Sequence, residues 1–250
     1  MTSAPMEVTG TAPSAHVRAR KRERLLYMGM TIAIILTVFA GFAPTYYLKS
    51  YFESPPLRPL VHVHGAVFTL WLVLFLVQTT LVAAGRVRLH RLFGMGGVVV
   101  AVLMVGLGMS TAVSAAALGH SPPGAPPPLV FLVIPFTDIL VFSGLVAAAF
   151  YFRRRPDVHK RLMLLATIGI LPAATGRMPL EVLHSPPAFF ALADLFFVPC
   201  VLYDLFSRGR PHRATVLGGL AIVASQPLRL LIGHTQTWSE FATWLTTWAT

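Results

Sequence analysis

The sequence predicts an all-α, polytopic transmembrane helix bundle of about seven spans, and three observations carry that expectation. Hydrophobic residues make up 55% of the 250 positions and only 12% are charged, with a mean hydropathy of +0.70. A soluble domain usually has about a quarter of its residues charged. Apolar runs follow one another along the chain, most of them near the ~20 residues needed to cross about 30 Å of hydrocarbon. The charge is strongly basic, 20 Lys and Arg against 9 Asp and Glu, and it collects between those runs. A disordered chain and a soluble globular domain are thereby excluded. The basic excess is assigned to the lipid bilayer, with no nucleic-acid partner.

Residues 1–24 are polar, rich in Ala, Ser, Thr and Pro, and end in Arg18, Arg20, Lys21, Arg22 and Arg24. They are expected to form a disordered basic cytoplasmic tail. The run 25–48 is too long for a signal-peptide core and lacks a cleavage site, so it reads as an uncleaved first span. Further runs cover 60–84, 92–118, 129–152, 162–176, 188–206 and 214–232; the fifth is short and contains Pro172. The transmembrane domain so defined is 25–233. Residues 234–250 place Trp238, Phe241, Trp244, Leu245 and Trp248 at helical spacing, which predicts an amphipathic segment on the outer leaflet. The tail and the loops after the second, fourth and sixth runs hold 16 of the 20 basic residues. The positive-inside rule then puts the amino terminus inside and the carboxyl terminus outside a bacterial cytoplasmic (inner) membrane.

Smaller features fit this frame. Gly94, Gly97, Ala101, Gly106 and Gly108 offer a small-residue surface for close helix packing. Tyr46, Tyr47 and Tyr51 form an outer aromatic belt. Cys200 is the single cysteine, so neither an intrachain disulfide nor a C-x-x-C motif exists.

The inner loops are related to one another. Arg86-Val-Arg88-Leu-His90-Arg91 and Arg208-Gly-Arg210-Pro-His212-Arg213 are both R-x-R-x-H-R, and the loop through His159, Lys160 and Arg161 is a looser version. Convergence at a basic face explains this as well as ancestry does. These arginines are candidates for contact with anionic lipid headgroups. Within the membrane, Asp138 and Asp194 lie at matching distances before the inner loops, and Arg177 and Arg229 at matching distances after them. At about 1.5 Å per residue all four reach similar depth in the outer half. Each Asp is expected to be compensated by an Arg, most simply within its own hairpin (Asp138 with Arg177, Asp194 with Arg229), although pairing across hairpins fits the depths too. The alternative is a wet, outward polar cavity lined by His64, Asp138, Arg177, Asp194, Gln226 and Arg229.

Eight of the nine histidines lie at or near expected helix ends. The sharpest motif is His62-Val63-His64-Gly65. Residues two apart on a helix point about 200° apart, so the two imidazoles face different ways. His64, Trp71 and Gln78 are spaced by seven and form one stripe facing the bundle interior. His64 is therefore the interior candidate and His62 the interfacial one. Imidazoles on facing helices can ligate haem b or a transition metal, with His184 and His234 as outer-side partners for His64. The inner-face trio His90, His159 and His212 sits beside arginines, which favours lipid phosphate or haem propionate over a cation. Structural or interfacial roles remain open for all of them.

The elements H-V-H-G, G-R-V-R-L-H-R-L-F-G, H-K-R-L-M-L-L-A-T and S-Q-P-L-R resemble a group of bacterial polytopic membrane proteins of uncharacterised activity. The likeness spans residues 42–244 and implies fold and location only. H-R-x-x-G and H-K-R-L-M are also distantly similar to membrane families with b-type haem or roles in cytochrome oxidase assembly, including cytochrome b561. That family holds its haem histidines within helices at matched depths, whereas most histidines here fall at helix ends. Two functions are thus expected to compete: a His-ligated haem- or metal-binding redox or accessory protein, and a small-solute or proton-coupled carrier or ligand-binding protein with an outward cavity.

Overall fold

The computed structural model describes residues 15–122 and 124–248. Their regular structure is all helical, with no strand among the described residues. The helices are α1 (Ala15–Phe42), α2 (Pro59–Ala83), α3 (Val87–Ala117), α4 (Pro128–Phe131), α5 (Val133–Tyr151), α6 (Pro156–Gly169), α7 (Pro172–Thr175), α8 (Pro186–Asp194), α9 (Phe197–Arg208), α10 (Arg213–Gly233) and α11 (Gln236–Thr247). Among the described residues six segments are long and apolar enough to cross a membrane: Arg18–Tyr47, Pro59–Ala83, Val87–Ala117, Pro128–Tyr151, Pro186–Arg208 and Arg213–Gly233. This is the pattern of a multi-pass membrane protein. Of the expected disordered tail, residues 1–14 lie outside the described residues. From Ala15 onward the basic cluster is already helical, as a continuation of α1.

Proline sets most of the interruptions. A proline has no N–H and its ring crowds the carbonyl four residues earlier, so the chain must find another partner for that carbonyl. Before Pro172 the Ile168 carbonyl accepts from Leu171 N at 2.9 Å, and α6 stops there. Before Pro199 the Leu195 carbonyl accepts from Val198 N at 3.2 Å, which separates α8 from α9. Pro135 likewise follows the break between α4 and α5. At the end of α1, Pro44 lies in a π-helical turn, Ala43–Tyr47. Pro227 is accommodated inside α10 without ending it.

The core is built around α6, which buries Arg161, Leu162 and every residue from Leu164 to Gly169. It packs against α5 and α10, and α7 packs against α1. Trp71 is almost fully buried, meets Phe142 edge-on at 5.2 Å and donates from Nε1 to Thr167 Oγ1 at 3.3 Å. The outer faces carry exposed apolar residues such as Leu36, Val99, Leu217 and Leu231. A bilayer would cover that surface; water would not.

The small-residue surface of α3 is only partly used. Gly97, Ala101 and Gly108 are buried, and Gly108 has no room for a methyl group beside Ile139. Gly94 and Gly106 face open space. The segment after α10 folds as α11 and docks through Trp238, whose Nε1 donates to the Leu129 carbonyl at 2.8 Å, and through Ala242. Trp244 and Trp248 remain exposed.

The tightest helix crossing is at Gly41, where a Cβ would fall on the Ala174 carbonyl. Gly41→Val should cost about 1–3 kcal/mol through overpacking, read as a lower melting temperature of the detergent-solubilised protein. Gly29→Ala, with nothing within 4 Å of its new methyl, should leave that temperature unchanged or raise it slightly. Equal behaviour of the two variants would remove the close α1–α7 contact.

Candidate functional site

Helices α1, α2, α3, α5 and α6, with α7, surround a cavity of about 490 Å³. Ligand sites of about 300–1,000 Å³ are usual. Apolar side chains form most of the wall, among them Ile34, Phe68, Leu72, Ile134, Ile139 and Phe189. The rim is drawn from the turn at Thr45–Tyr47, from His120 to Pro122, and from Arg177 and His184. It lies at the ends of helices that the positive-inside count assigns to the outer side.

Two residues on this wall each have an unpaired polar atom that is shut off from the open space. His64 Nδ1 and Thr111 Oγ1 are buried and have no hydrogen-bond partner among the described residues. The His64 ring stacks on Phe68 at 4.1 Å between centroids and has the Leu107 backbone against it. A buried, unpaired donor or acceptor costs about 1–3 kcal/mol. In a well-packed protein such atoms usually belong beside a water or a ligand. His62, by contrast, is exposed and sits near Tyr46, whose hydroxyl donates to the His62 carbonyl at 3.1 Å.

Asp138 also lines the cavity, but its charge is spoken for. It forms a buried ion pair with Arg229 of α10. The guanidinium is held further by the Ser225 carbonyl at 3.2 Å, by Ser225 Oγ at 2.6 Å, and by the face of Phe190 at 5.2 Å. The expected pairing within hairpins is thus corrected: Asp138 pairs across to the α9–α10 hairpin. Asp194 forms no ion pair among the described residues; Gln226 Nε2 donates to it at 2.9 Å and Arg229 lies close enough to attract it. Arg177 forms no ion pair among the described residues; its Nη1 donates to the Ala173 carbonyl at 2.6 Å and its guanidinium lies 5.1 Å from the centre of the Phe42 ring. The reason is geometric. Arg229 reaches Asp138 because α5 and α10 are neighbours, whereas Arg177 follows the break at Pro172 and turns toward α1. Of the proposed polar cavity set, His64, Asp138 and Arg177 line the space, while Asp194, Gln226 and Arg229 do not.

A second buried cluster lies at the other end of α6. Arg161 forms an ion pair with Asp204 of α9, both almost fully buried, and donates from Nη1 to the Asp157 carbonyl at 2.8 Å. Asp204 also accepts from His212 N at 3.0 Å and from Thr215 Oγ1 at 2.6 Å. The signal for it was an acid inside the apolar run 188–206, close to its inner end, opposite an Arg in H-K-R-L-M. That acid is the residue sequence reasoning missed.

The inner histidines are held by protein groups. His159 Nδ1 lies 2.8 Å from the Ala149 carbonyl, and its ring is 6.3 Å from that of His90. With its amide oriented by its partners, Gln78 donates to the His90 carbonyl at 3.0 Å and to His90 Nδ1, and accepts from Gly94 N at 3.2 Å. His212 caps α10, accepting from Ala214 N at 3.0 Å, and its Nε2 lies 3.1 Å from Asp157 Oδ2. Burial alone would raise the Asp157 carboxyl, but its hydrogen bonds to His212 and to backbone amides hold it below the ordinary value. His234 is exposed and bonds the Leu230 carbonyl at 2.8 Å, away from the cavity. Among the described residues no three His, Cys, Asp or Glu side chains are grouped to hold a metal ion.

Breaking the Asp138–Arg229 pair should leave one uncompensated buried charge. Asp138→Asn or Arg229→Gln alone should cost about 3–5 kcal/mol, and the double variant less than the sum. Asp138→Asn combined with Arg177→Gln should be additive. Coupling in the second cycle and none in the first would reverse the assignment. Because the Asp157 carboxyl is depressed, its contribution is present above the ordinary carboxylate pKa of about 4 and is lost as pH falls through the lower folded value. Being half exposed, it is worth under about 1 kcal/mol. Asp157→Asn should flatten the acid limb of the stability profile by that amount. Comparison of the chain with protein-family models, with curated proteins and with solved structures gave no match, so the functional reading rests on the geometry above.

Proposed function

We propose that the protein is a seven-span membrane protein of a bacterial cytoplasmic membrane that binds a small, largely apolar ligand in a cavity of its outer half. The seventh span is the broken segment α6–α7. Its apolar part, residues 162–176, covers about 22 Å at about 1.5 Å each, with the charged residues 157–161 at the inner interface. The excess of basic residues in the inner segments supports an internal amino terminus and an external carboxyl terminus. The observation that carries the ligand reading is a largely apolar cavity of about 490 Å³ with Arg177 on its wall, a charge without an ion-pair partner among the described residues.

The redox reading has narrower support. His64 and His184 both line the cavity, but His64 Nδ1 is shut off from its open space. The His62 ring lies 6.1 Å from that of Tyr46, His234 bonds the Leu230 carbonyl, and neither lines the cavity. A transition metal finds no three-ligand group among the described residues. The donor set therefore fits a ligand-binding or carrier protein better than a metal centre.

The test is ligand-dependent stabilisation of the full-length protein in lipid nanodiscs. A ligand at a hundred times its Kd should stabilise by about 2.7 kcal/mol, seen as a raised melting temperature. Ala115→Phe and Ala112→Phe, both on the cavity wall, should abolish that rise while leaving the ligand-free protein folded. A Soret band in the purified protein, lost in His64→Ala and kept in His62→Ala, would instead establish the haem reading. A reporter fused after Thr250 should be active only on the outer side; an inner signal would remove one span.

A further inference from the structure

Resting on the ligand reading above, we propose that the cavity takes an anionic amphiphile: an acidic head group held by Arg177 at the rim, with its apolar chain lying along the cavity floor.

The argument is one of charge accounting. Four of the five basic side chains that lie outside the basic inner loops or are buried within the bundle have clear compensation or solvent access; one of them, Arg58, is exposed and donates to Ser114 Oγ at 3.4 Å. Arg161 pairs with Asp204 and Arg229 with Asp138, and Lys49 is exposed, bonding the Pro55 carbonyl at 3.3 Å. Arg177 is the exception on the cavity wall. It is half-buried, one of its nitrogens is used by the Ala173 carbonyl, and no carboxylate lies within ion-pair distance among the described residues. The other charge on the wall, Asp138, is already neutralised from behind by Arg229. The cavity therefore carries one net positive charge, with His120 and His184 beside it on the rim.

A guanidinium with unused N–H groups selects a carboxylate or phosphate, which it can grip with two parallel hydrogen bonds. The stacking of Arg177 on Phe42 fixes the plane of that fork and lowers the entropy lost on binding. Beyond the rim the wall turns apolar, through Phe68, Leu72, Ile134 and Ile139. A small hydrophilic anion would leave that surface uncovered, and a neutral hydrocarbon would leave the arginine unpaired. A molecule with both parts satisfies both ends.

The experiment uses the full-length protein in phosphatidylcholine nanodiscs and the fluorescent fatty acid cis-parinaric acid, with its methyl ester as the uncharged partner. The acid should bind at least about tenfold more tightly than the ester. Arg177→Gln should erase that preference by weakening the acid alone, and Arg177→Lys should keep part of it. Unchanged ester binding in Arg177→Gln shows that the variant is folded. Displacement of the acid by lysophosphatidic acid distinguishes a phosphate from a carboxylate head, and either head supports the proposal. Equal binding of acid and ester, or a preference that survives Arg177→Gln, overturns the head-group assignment. In that case ester binding lost in Ala115→Phe still upholds the cavity. If neither probe binds the unaltered protein, both this proposal and the reading beneath it fall.

Discussion

An ionised side chain cannot be left alone in a low-dielectric helix bundle, and the packing of the last four long segments follows from that constraint. Two buried ion pairs satisfy it, and they are reciprocal. Asp138 of α5 meets Arg229 of α10, and Asp204 of α9 meets Arg161 of α6. Each hairpin thus supplies one acid and one base to the other, near opposite ends of the central helix. Neither hairpin can slide or rotate without separating both pairs. The cavity wall around Asp138 is held in place by the same bonds that neutralise it.

The space itself is a consequence of broken helices. Had α6 run straight past Ile170, its side chains would have continued the packing that buries Leu164 to Gly169. Pro172 stops it, and the short α7 turns toward α1, where Gly41 lets the two backbones approach. Thr175 fastens that turn to α8 by donating to the Phe189 carbonyl at 2.8 Å. The π-helical turn at Ala43–Tyr47 shapes the facing side of the rim, secured where Tyr47 and Thr69 share a hydrogen bond of 2.9 Å. Interruptions that would weaken an isolated helix here leave a defined void with a polar edge.

The histidines divide along the same lines. His90, His159 and His212 are tied to backbone carbonyls, to Gln78 or to Asp157, and so work as interhelical fasteners. His64 is different because its neighbours are aromatic and aliphatic and its Nδ1 has nothing to bind. Its expected inward placement came from the seven-residue spacing to Trp71 and Gln78, since a polar stripe in a span should face inward. Thr111 gave no such signal. A lone threonine in an apolar run can satisfy its hydroxyl on the preceding turn, as Thr69 and Thr167 do.

Composition, run length and the distribution of Lys and Arg determined the helical, multi-pass class and the approximate bounds of its apolar segments. These are local properties: hydrocarbon thickness sets the length of a run, and the cost of burying charge sets where loops fall. The interior placement of His64 followed in the same way, from helical periodicity alone. Which acid meets which arginine was decided only by tertiary structure. Arg177 and Arg229 have equivalent positions along their hairpins, so sequence depth cannot choose between them. The choice depends on which helices are neighbours, and on a proline break that turns one arginine toward α1 and leaves the other facing Asp138.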